Sequence, residues 1–206
     1  FNDKNITHVD DEISPLNDIS VIETELLLSD LSKAENIYEN FKKKNKGKKT
    51  DENIISLYEK VVKNLNDGKL LRDCSFSNSE IKILKEFNLL TLKPQIYACN
   101  VDEDSILEGN NLSKQVEAFA KTKNIKVLNI SAGIESEISQ IESLQEKNEF
   151  LSSIGLKETS LSKLIKDGYD LLNLISFFTS GPKESKSWSC QTGTLAPDAG
   201  AKIHTD

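Results

Sequence analysis

The sequence predicts an α/β protein that combines a parallel sheet with a long helical segment and ends in a small β-rich region. Three observations carry this prediction. Two apolar seams with steps of four and three residues come first, short apolar runs then alternate with amphipathic stretches, and strand-like residues follow Leu174. Alternating strands and helices are typical of parallel sheets with helical crossovers.

Composition indicates an ordinary soluble domain with a large polar surface. The 206 residues include 37% hydrophobic and 29% charged residues, and the net charge is −7. This charge argues against general nucleic-acid binding, so we expect no DNA partner. No apolar run has membrane-spanning length, so we expect no membrane partner either. The chain begins with Phe1 and has no methionine, and we expect both ends to be cuts within a longer product.

The cysteines and histidines show no metal-binding pattern. Cys74, Cys99 and Cys190 form no CxxC pair, which indicates reduced thiols and a cytoplasmic location. His8 and His204 are far apart in the sequence. We therefore expect no metal site in this chain and treat the cysteines as packing residues.

The two apolar seams predict two helices that pack on each other. The first helix is expected to begin at Ile19, with Asp18 as its cap, and the second to end near Gly68. The seam residues are Leu27, Leu31, Ala34, Tyr38 and Phe41, then Ile54, Tyr58, Val61 and Leu65. A short polar loop between them predicts an antiparallel coiled-coil hairpin, because neither helix could bury its seam alone. The alternative is two bundle helices packed on a larger core.

The loop between these helices is strongly basic. It carries six lysines without an aromatic residue between them: Lys42, Lys43, Lys44, Lys46, Lys48 and Lys49. Such a cluster at a hairpin tip suits RNA phosphates. The alternative is a solvated loop whose charge maintains solubility.

The middle of the chain supplies the strands and helices of the sheet. A helix is expected at Ser79–Phe87, capped by Ser77 or Asn78. The expected strands are Ile96–Cys99 and Val127–Ile130, and the expected helices around them are Leu112–Thr122, about 133–141, 145–153 and 161–173. A strand over 176–179, a turn at Gly181–Pro182 and an alternating stretch over 185–190 follow.

Polar residues follow both predicted parallel strands, where open α/β sheets bind their ligands. Asn100-Val101-Asp102-Glu103 stands where guanine-nucleotide switch proteins have Asn-Lys-x-Asp, and Ser131-Ala132 stands where they have Ser-Ala-x. A carboxylate matches the two adjacent donors of guanine, but Glu is one methylene longer than Asp, which spoils a bidentate fit. The segments thus predict a base-binding edge without strict guanine specificity. The alternative is an ordinary loop after a strand.

Several stretches in this order resemble the YchF, or Obg-like, family of P-loop nucleotide hydrolases. They are Asn5-Ile6-Thr7-His8-Val9, residues 18–26, residues 89–94, Asn100-Val101-Asp102-Glu103, residues 168–174 and residues 202–206. The resemblance implies a nucleotide-binding domain over 1–18 and 75–180, an inserted coiled-coil hairpin over 19–74, and the truncated start of a TGS domain over 181–206.

The resemblance also implies a function. The family generally prefers ATP, and its members associate with ribosomes, so we expect ATP as ligand and ribosome or rRNA as partner. Asn100 would face the adenine edge, Val101 would give main-chain contact and packing on the ring, and Glu103 would replace the guanine-reading residue. Ser131 and Ala132 would close the other side of the base. His8 matches a histidine thought to act in hydrolysis.

The phosphate-binding part of such a site is not in this sequence. No Gly-x-x-x-x-Gly-Lys-Ser/Thr motif occurs, and this motif cradles phosphates and positions Mg²⁺. The resemblance places it before residue 1, so we expect the Mg²⁺ ligands there and no hydrolysis by this chain alone. The alternatives to an ATPase are a non-catalytic helical-hairpin adaptor with a vestigial nucleotide site, or a true GTPase.

Overall fold

The computed structural model describes residues 13–46 and 52–203, and the chain divides into two compact units at Pro94–Gln95. Before this point the described elements are helical, and after it they include parallel and antiparallel strands. Within the described ranges, no helix is both long enough and apolar enough to cross a bilayer.

The first helix, α1, runs over Pro15–Lys44 and begins earlier than we expected. We predicted a start at Ile19 capped by Asp18, but Ser14 is the N-cap residue. The Asp18 N–H already donates to the Ser14 carbonyl oxygen over 3.0 Å. Pro15 explains the difference, because its fixed φ suits the first helical turn and its missing N–H costs no bond there.

The second helix, α2, runs over Glu52–Asn66 and packs on α1 through residues of both predicted seams. Tyr58 lies between the two helices, with its ring centroid 4.8 Å from that of Phe41 and 5.8 Å from that of Tyr38. The Tyr38 hydroxyl donates to Glu59 over 2.6 Å. The buried residues of this interface are Ala34, Leu57, Tyr58, Val61 and Leu65.

A third helix, α3 (Asn78–Glu86), shares the core of α1 and α2. Leu84 is fully buried in the same cluster as Val61 and Leu65, and the Phe87 ring stacks on Tyr58 at 5.4 Å. The helical unit therefore extends past residue 74, where we expected the inserted segment to end. The sequence left open the alternative that α1 and α2 pack on a larger core. A projecting hairpin of these two helices remains a prediction.

A buried carboxylate ties the segment after α3 to α1. Asp30 is 1% exposed. It accepts hydrogen bonds from the backbone N–H groups of Leu90 (2.8 Å) and Thr91 (2.6 Å) and from the Thr91 hydroxyl (2.7 Å). These three contacts join the 90–91 turn to α1.

The second unit contains the predicted parallel strands, β1 (Ile96–Asn100) and β2 (Lys126–Ile130). Ile96 lies opposite Lys126 and Asn100 opposite Ile130, so both strands end at the same edge. Helix α4 (Asn111–Thr122) connects them, as predicted. This confirms the α/β class and the crossover.

Three helices follow β2. They are α5 (Ala132–Gln140), α6 (Leu144–Ser153) and α7 (Ser160–Leu171), close to the predicted ranges. Two of them, α5 and α6, pack on Val101 at the end of β1. The core cluster formed with α5 and α6 is Val101, Ile106, Ile134, Ile138 and Leu151. Glu135 of α5 accepts the Ser160 backbone N–H over 2.6 Å, which joins α5 to the start of α7.

The last part of the chain is an antiparallel hairpin of β3 (Leu174–Ser180) and β4 (Ser185–Gln191), followed by α8 (Ala196–Gly200). The sequence predicted strand-like residues from Leu174 and, by the family resemblance, a TGS domain from residue 181. β3 pairs along its full length with β4, so the hairpin begins at Leu174. The Trp188 indole N–H donates to Thr179 Oγ1 over 3.0 Å across the hairpin.

Candidate functional site

Asn100 and the Ser131–Ala132 segment meet at the carboxyl edge of the parallel sheet. The Ala132 backbone N–H donates to Asn100 Oδ1 over 3.4 Å, a long hydrogen bond. Asn100 and Ala132 are both exposed. The fold thus brings together two polar segments that the sequence placed after separate strands, in a corner that a ligand can reach.

Ser131 caps the helix α5 next to Ala132. It is 2% exposed and is the N-cap residue of α5, where its hydroxyl accepts the Ile134 backbone N–H over 3.5 Å. This is the usual function of a serine before a helix. The Ser131 side chain is therefore used within the protein, and Ala132 presents the exposed part of the segment.

The Glu103 carboxylate lies against the first turn of α5. A Cβ atom built on Gly133 would be 2.5 Å from Glu103 Oε1 and 3.4 Å from its Cδ, so the carboxylate occupies the space that a side chain at residue 133 would need. Glu103 is exposed. The positive end of a helix dipole favours a carboxylate at this place.

Val101 lies in the core. Its side chain is 3% exposed and belongs to the cluster of Ile134 and Ile138, while its backbone N–H donates to the Ile130 carbonyl oxygen over 2.8 Å. We predicted main-chain contact and side-chain packing on a purine ring. The burial does not fit side-chain packing, so we assign Val101 to the support that holds Asn100 and Glu103.

Four of the six predicted RNA-contact lysines lie in the described part of the chain. Lys42, Lys43 and Lys44 form the last turn of α1, Lys46 follows, and all four are exposed. Lys48 and Lys49 lie outside the described residues. Three cations in the last turn also stabilise the helix, because its carboxyl end is partially negative.

Tyr38 is an aromatic neighbour of this cluster that our sequence reasoning missed. The Lys42 Nζ atom lies 3.8 Å from the centroid of the Tyr38 ring and 3.0 Å from Glu39 Oε1. The hydrogen bond to Glu39 raises the pKa of Lys42. The spacing of four residues between Tyr38 and Lys42, on one helix face, was the available signal.

His8 lies outside the described residues. Burial raises the pKa values of the Cys74 and Cys99 thiols, which does not favour the reactive thiolate. In the described ranges, no group of three or more His, Cys, Asp or Glu side chains is arranged to hold a metal ion.

These features define an α/β protein whose polar groups gather at the carboxyl ends of adjacent parallel strands, the usual ligand edge of such sheets. Residues 174–206 match the family YchF-GTPase_C, described as a protein of unknown function (DUF933). The family match begins at the first residue of β3.

Comparison with known proteins finds relatives that align with the whole chain. All of the chain aligns with "Ribosome-binding ATPase YchF" of Haemophilus influenzae at 38% identity, covering 56% of that protein. The Bacillus subtilis protein of the same name is 35% identical, again over all of the chain and 57% of the relative. The solved structure of the Schizosaccharomyces pombe YchF GTPase superposes with a TM-score of 0.84 and 30% identity, over 100% of this chain and 56% of that one.

The chain is homologous to YchF proteins over its whole length. It spans about half the length of the curated relatives that it matches. The family resemblance found in the sequence is therefore confirmed.

Proposed function

We propose that the whole protein is a nucleotide hydrolase that prefers ATP to GTP, and that this chain supplies the part of the site that binds the base. The observation that carries the proposal is the hydrogen bond between Asn100 Oδ1 and the Ala132 N–H, over 3.4 Å. It joins the two predicted base-binding segments at the carboxyl edge of one parallel sheet. The bacterial relatives are named ATPases, which also supports it.

In this proposal, Asn100 faces the purine and Ala132 lies beside the edge of the base. Glu103 stands near the place where guanine would present two adjacent hydrogen-bond donors. Its carboxylate lies against Gly133, and in this proposal it does not accept from both guanine donors at once. Adenine does not present that pair of donors, so its binding does not require two acceptors at this place.

The test is nucleotide binding by the full-length protein. We expect ADP to bind more tightly than GDP, and Asn100→Ala to weaken ADP binding about tenfold, because one polar contact with the base is lost. Gln115→Ala, an exposed change on α4, is the matched control and should leave both affinities unchanged. A clear preference of the parent for GDP would instead support a GTPase.

We propose that His8 serves hydrolysis, by resemblance to the family histidine. A histidine near neutral pH can orient water or stabilise developing charge. Mg²⁺ would act at the phosphates, and we offer no residue of this chain as its ligand. In the full-length protein, His8→Ala should lower turnover and leave ATP affinity nearly unchanged. Equal turnover in variant and parent would remove His8 from this function.

We also propose that the protein binds the ribosome, with the lysine cluster on rRNA phosphates. In this proposal, α1 and α2 are the inserted coiled coil, and residues 174–206 begin the TGS domain. Two observations support it: the relatives are named ribosome-binding proteins, and the lysines at the end of α1 are exposed. Binding should weaken steeply with salt, and replacing Lys43, Lys44 and Lys46 by serine should reduce both affinity and salt dependence. Lys82→Ser, exposed on α3, is the control.

A further inference from the structure

Glu103 and Gly133 fit each other as a pair. Glu103 has one methylene more than the aspartate expected in a guanine-specific motif, and its carboxylate fills the space beside Gly133. A Cβ on Gly133 would approach Glu103 Oε1 to 2.5 Å and Cδ to 3.4 Å. The longer side chain is thus accommodated by the missing side chain on the opposite segment.

Backbone conformation does not require glycine at residue 133. Gly133 lies in the first turn of α5, and it is not among the glycines with positive φ. Alanine stabilises helices better than glycine does. The structural consequence of glycine here is therefore the space that it leaves for the Glu103 carboxylate.

We infer that Gly133 is a specificity-determining residue of the base site, acting through the position of Glu103; this rests on the proposed function. With glycine at residue 133, the carboxylate lies at the first turn of α5, where the helix dipole attracts it. A methyl group there would displace it. Oε1 is the end of a flexible side chain, so the carboxylate moves and the fold remains. In this inference, the displaced carboxylate comes closer to the two adjacent donors of guanine and favours GDP more than the parent does.

The test compares four full-length proteins: the parent, Gly133→Ala, Glu103→Asp and the double variant. Dissociation constants for ADP and GDP are measured by calorimetric titration. We expect Gly133→Ala to lower the ratio of the GDP constant to the ADP constant about tenfold. In the Glu103→Asp background, the same change should alter the ratio less than about twofold, because the shorter side chain leaves room for the methyl group.

Gly168→Ala is the matched control. Gly168 also lies in a helix, α7, and a Cβ built there meets no atom within 4 Å. This variant should keep the parent's ratio. Circular dichroism should show that Gly133→Ala is folded; an unfolded protein would overturn the inference, because it would make Gly133 a packing residue.

Two further outcomes separate the inference from the proposed function. If Asn100→Ala weakens ADP binding but Gly133→Ala leaves the ratio unchanged, the inference is wrong and the base site stands. The same conclusion follows if Gly133→Ala changes the ratio equally in the parent and in the Glu103→Asp variant. If neither Asn100→Ala nor Glu103→Asp affects nucleotide binding, the proposed site itself is wrong, and the inference falls with it.

Discussion

The helical unit and the carboxyl edge of the parallel sheet use polar side chains in opposite ways. In the helical unit, Asp30 is 1% exposed and accepts three hydrogen bonds. At the sheet edge, Asn100 and Glu103 are exposed, and the Ala132–Asn100 bond is long at 3.4 Å. The first arrangement stabilises the fold, and the second leaves polar groups accessible to a ligand. Substitutions in the two regions should therefore affect different measurements.

The largest effect is expected for Leu84→Ala in the helical core. Leu84 is fully buried among residues of α1 and α2, so its truncation should lower the free energy of unfolding by about 4 kcal/mol. Urea denaturation measures this change. Leu28→Ala, at a side chain that is 57% exposed, should cost less than about 0.5 kcal/mol. Similar costs for the two variants would remove α3 from the core shared with α1 and α2.

Asp30→Ala should lower the free energy of unfolding by about 3 kcal/mol. The change leaves the N–H groups of Leu90 and Thr91 and the Thr91 hydroxyl without their acceptor, and Thr91 is fully buried. Glu35→Ala, an exposed change on the same helix, is the control. A cost below about 1 kcal/mol in the same denaturation experiment would contradict a stabilising function for Asp30.

Glu80→Ala should show a smaller and pH-dependent cost. Hydrogen bonds from the Ser77 backbone N–H and then from Lys60 lower the Glu80 pKa from its ordinary value of 4.5. Because the folded pKa is below the unfolded one, the stabilisation is complete above pH 4.5 and is lost as the pH falls through the folded pKa. We expect Glu80→Ala to lower the free energy of unfolding by about 1 kcal/mol at neutral pH and by less in acid.

The pH series needs its own control. Glu86→Ala removes an exposed carboxylate from the same helix and should cost little at any pH. If Glu80→Ala lowers the free energy of unfolding equally at neutral and acidic pH, the charge of the Glu80 carboxylate does not contribute to stability.

The smallest effect on stability is expected at the sheet edge. Glu103→Gln keeps the size of an exposed side chain, so the free energy of unfolding should change by less than about 0.5 kcal/mol. Denaturation midpoints of variant and parent give the comparison directly. A loss above about 1 kcal/mol would break the distinction between the two regions, because Glu103 would then serve stability as Asp30 does.

Local patterns in the sequence were sufficient to predict most helices and strands. The apolar runs at 96–99 and 127–130 became parallel strands, because a buried strand needs continuous apolar residues. The same strands predicted where Asn100 and Ser131 would lie, since parallel strands present their carboxyl ends at one edge. The sequence left the cap of α3 open between Ser77 and Asn78, and Ser77 is the N-cap residue, in a capping box with Glu80.

Contacts between residues distant in sequence could not be predicted in this way. Asp30 binds a turn that lies 60 residues later, and no periodicity indicates such a bond. The burial of Val101 depends on α5 and α6, which cover it. The fit of Glu103 to Gly133 likewise depends on how two separate segments approach each other, which spacing along the chain does not reveal.

The Asp30 contacts have a consequence for the backbone of the 90–91 turn. Leu90 and Thr91 lie outside helices and strands, where amide hydrogens usually exchange rapidly with deuterium. Both amides instead donate to the buried carboxylate of Asp30 on α1. Their deuterium uptake should therefore be as slow as that of the helix interior, and this turn should open only when α1 itself comes away from its neighbours.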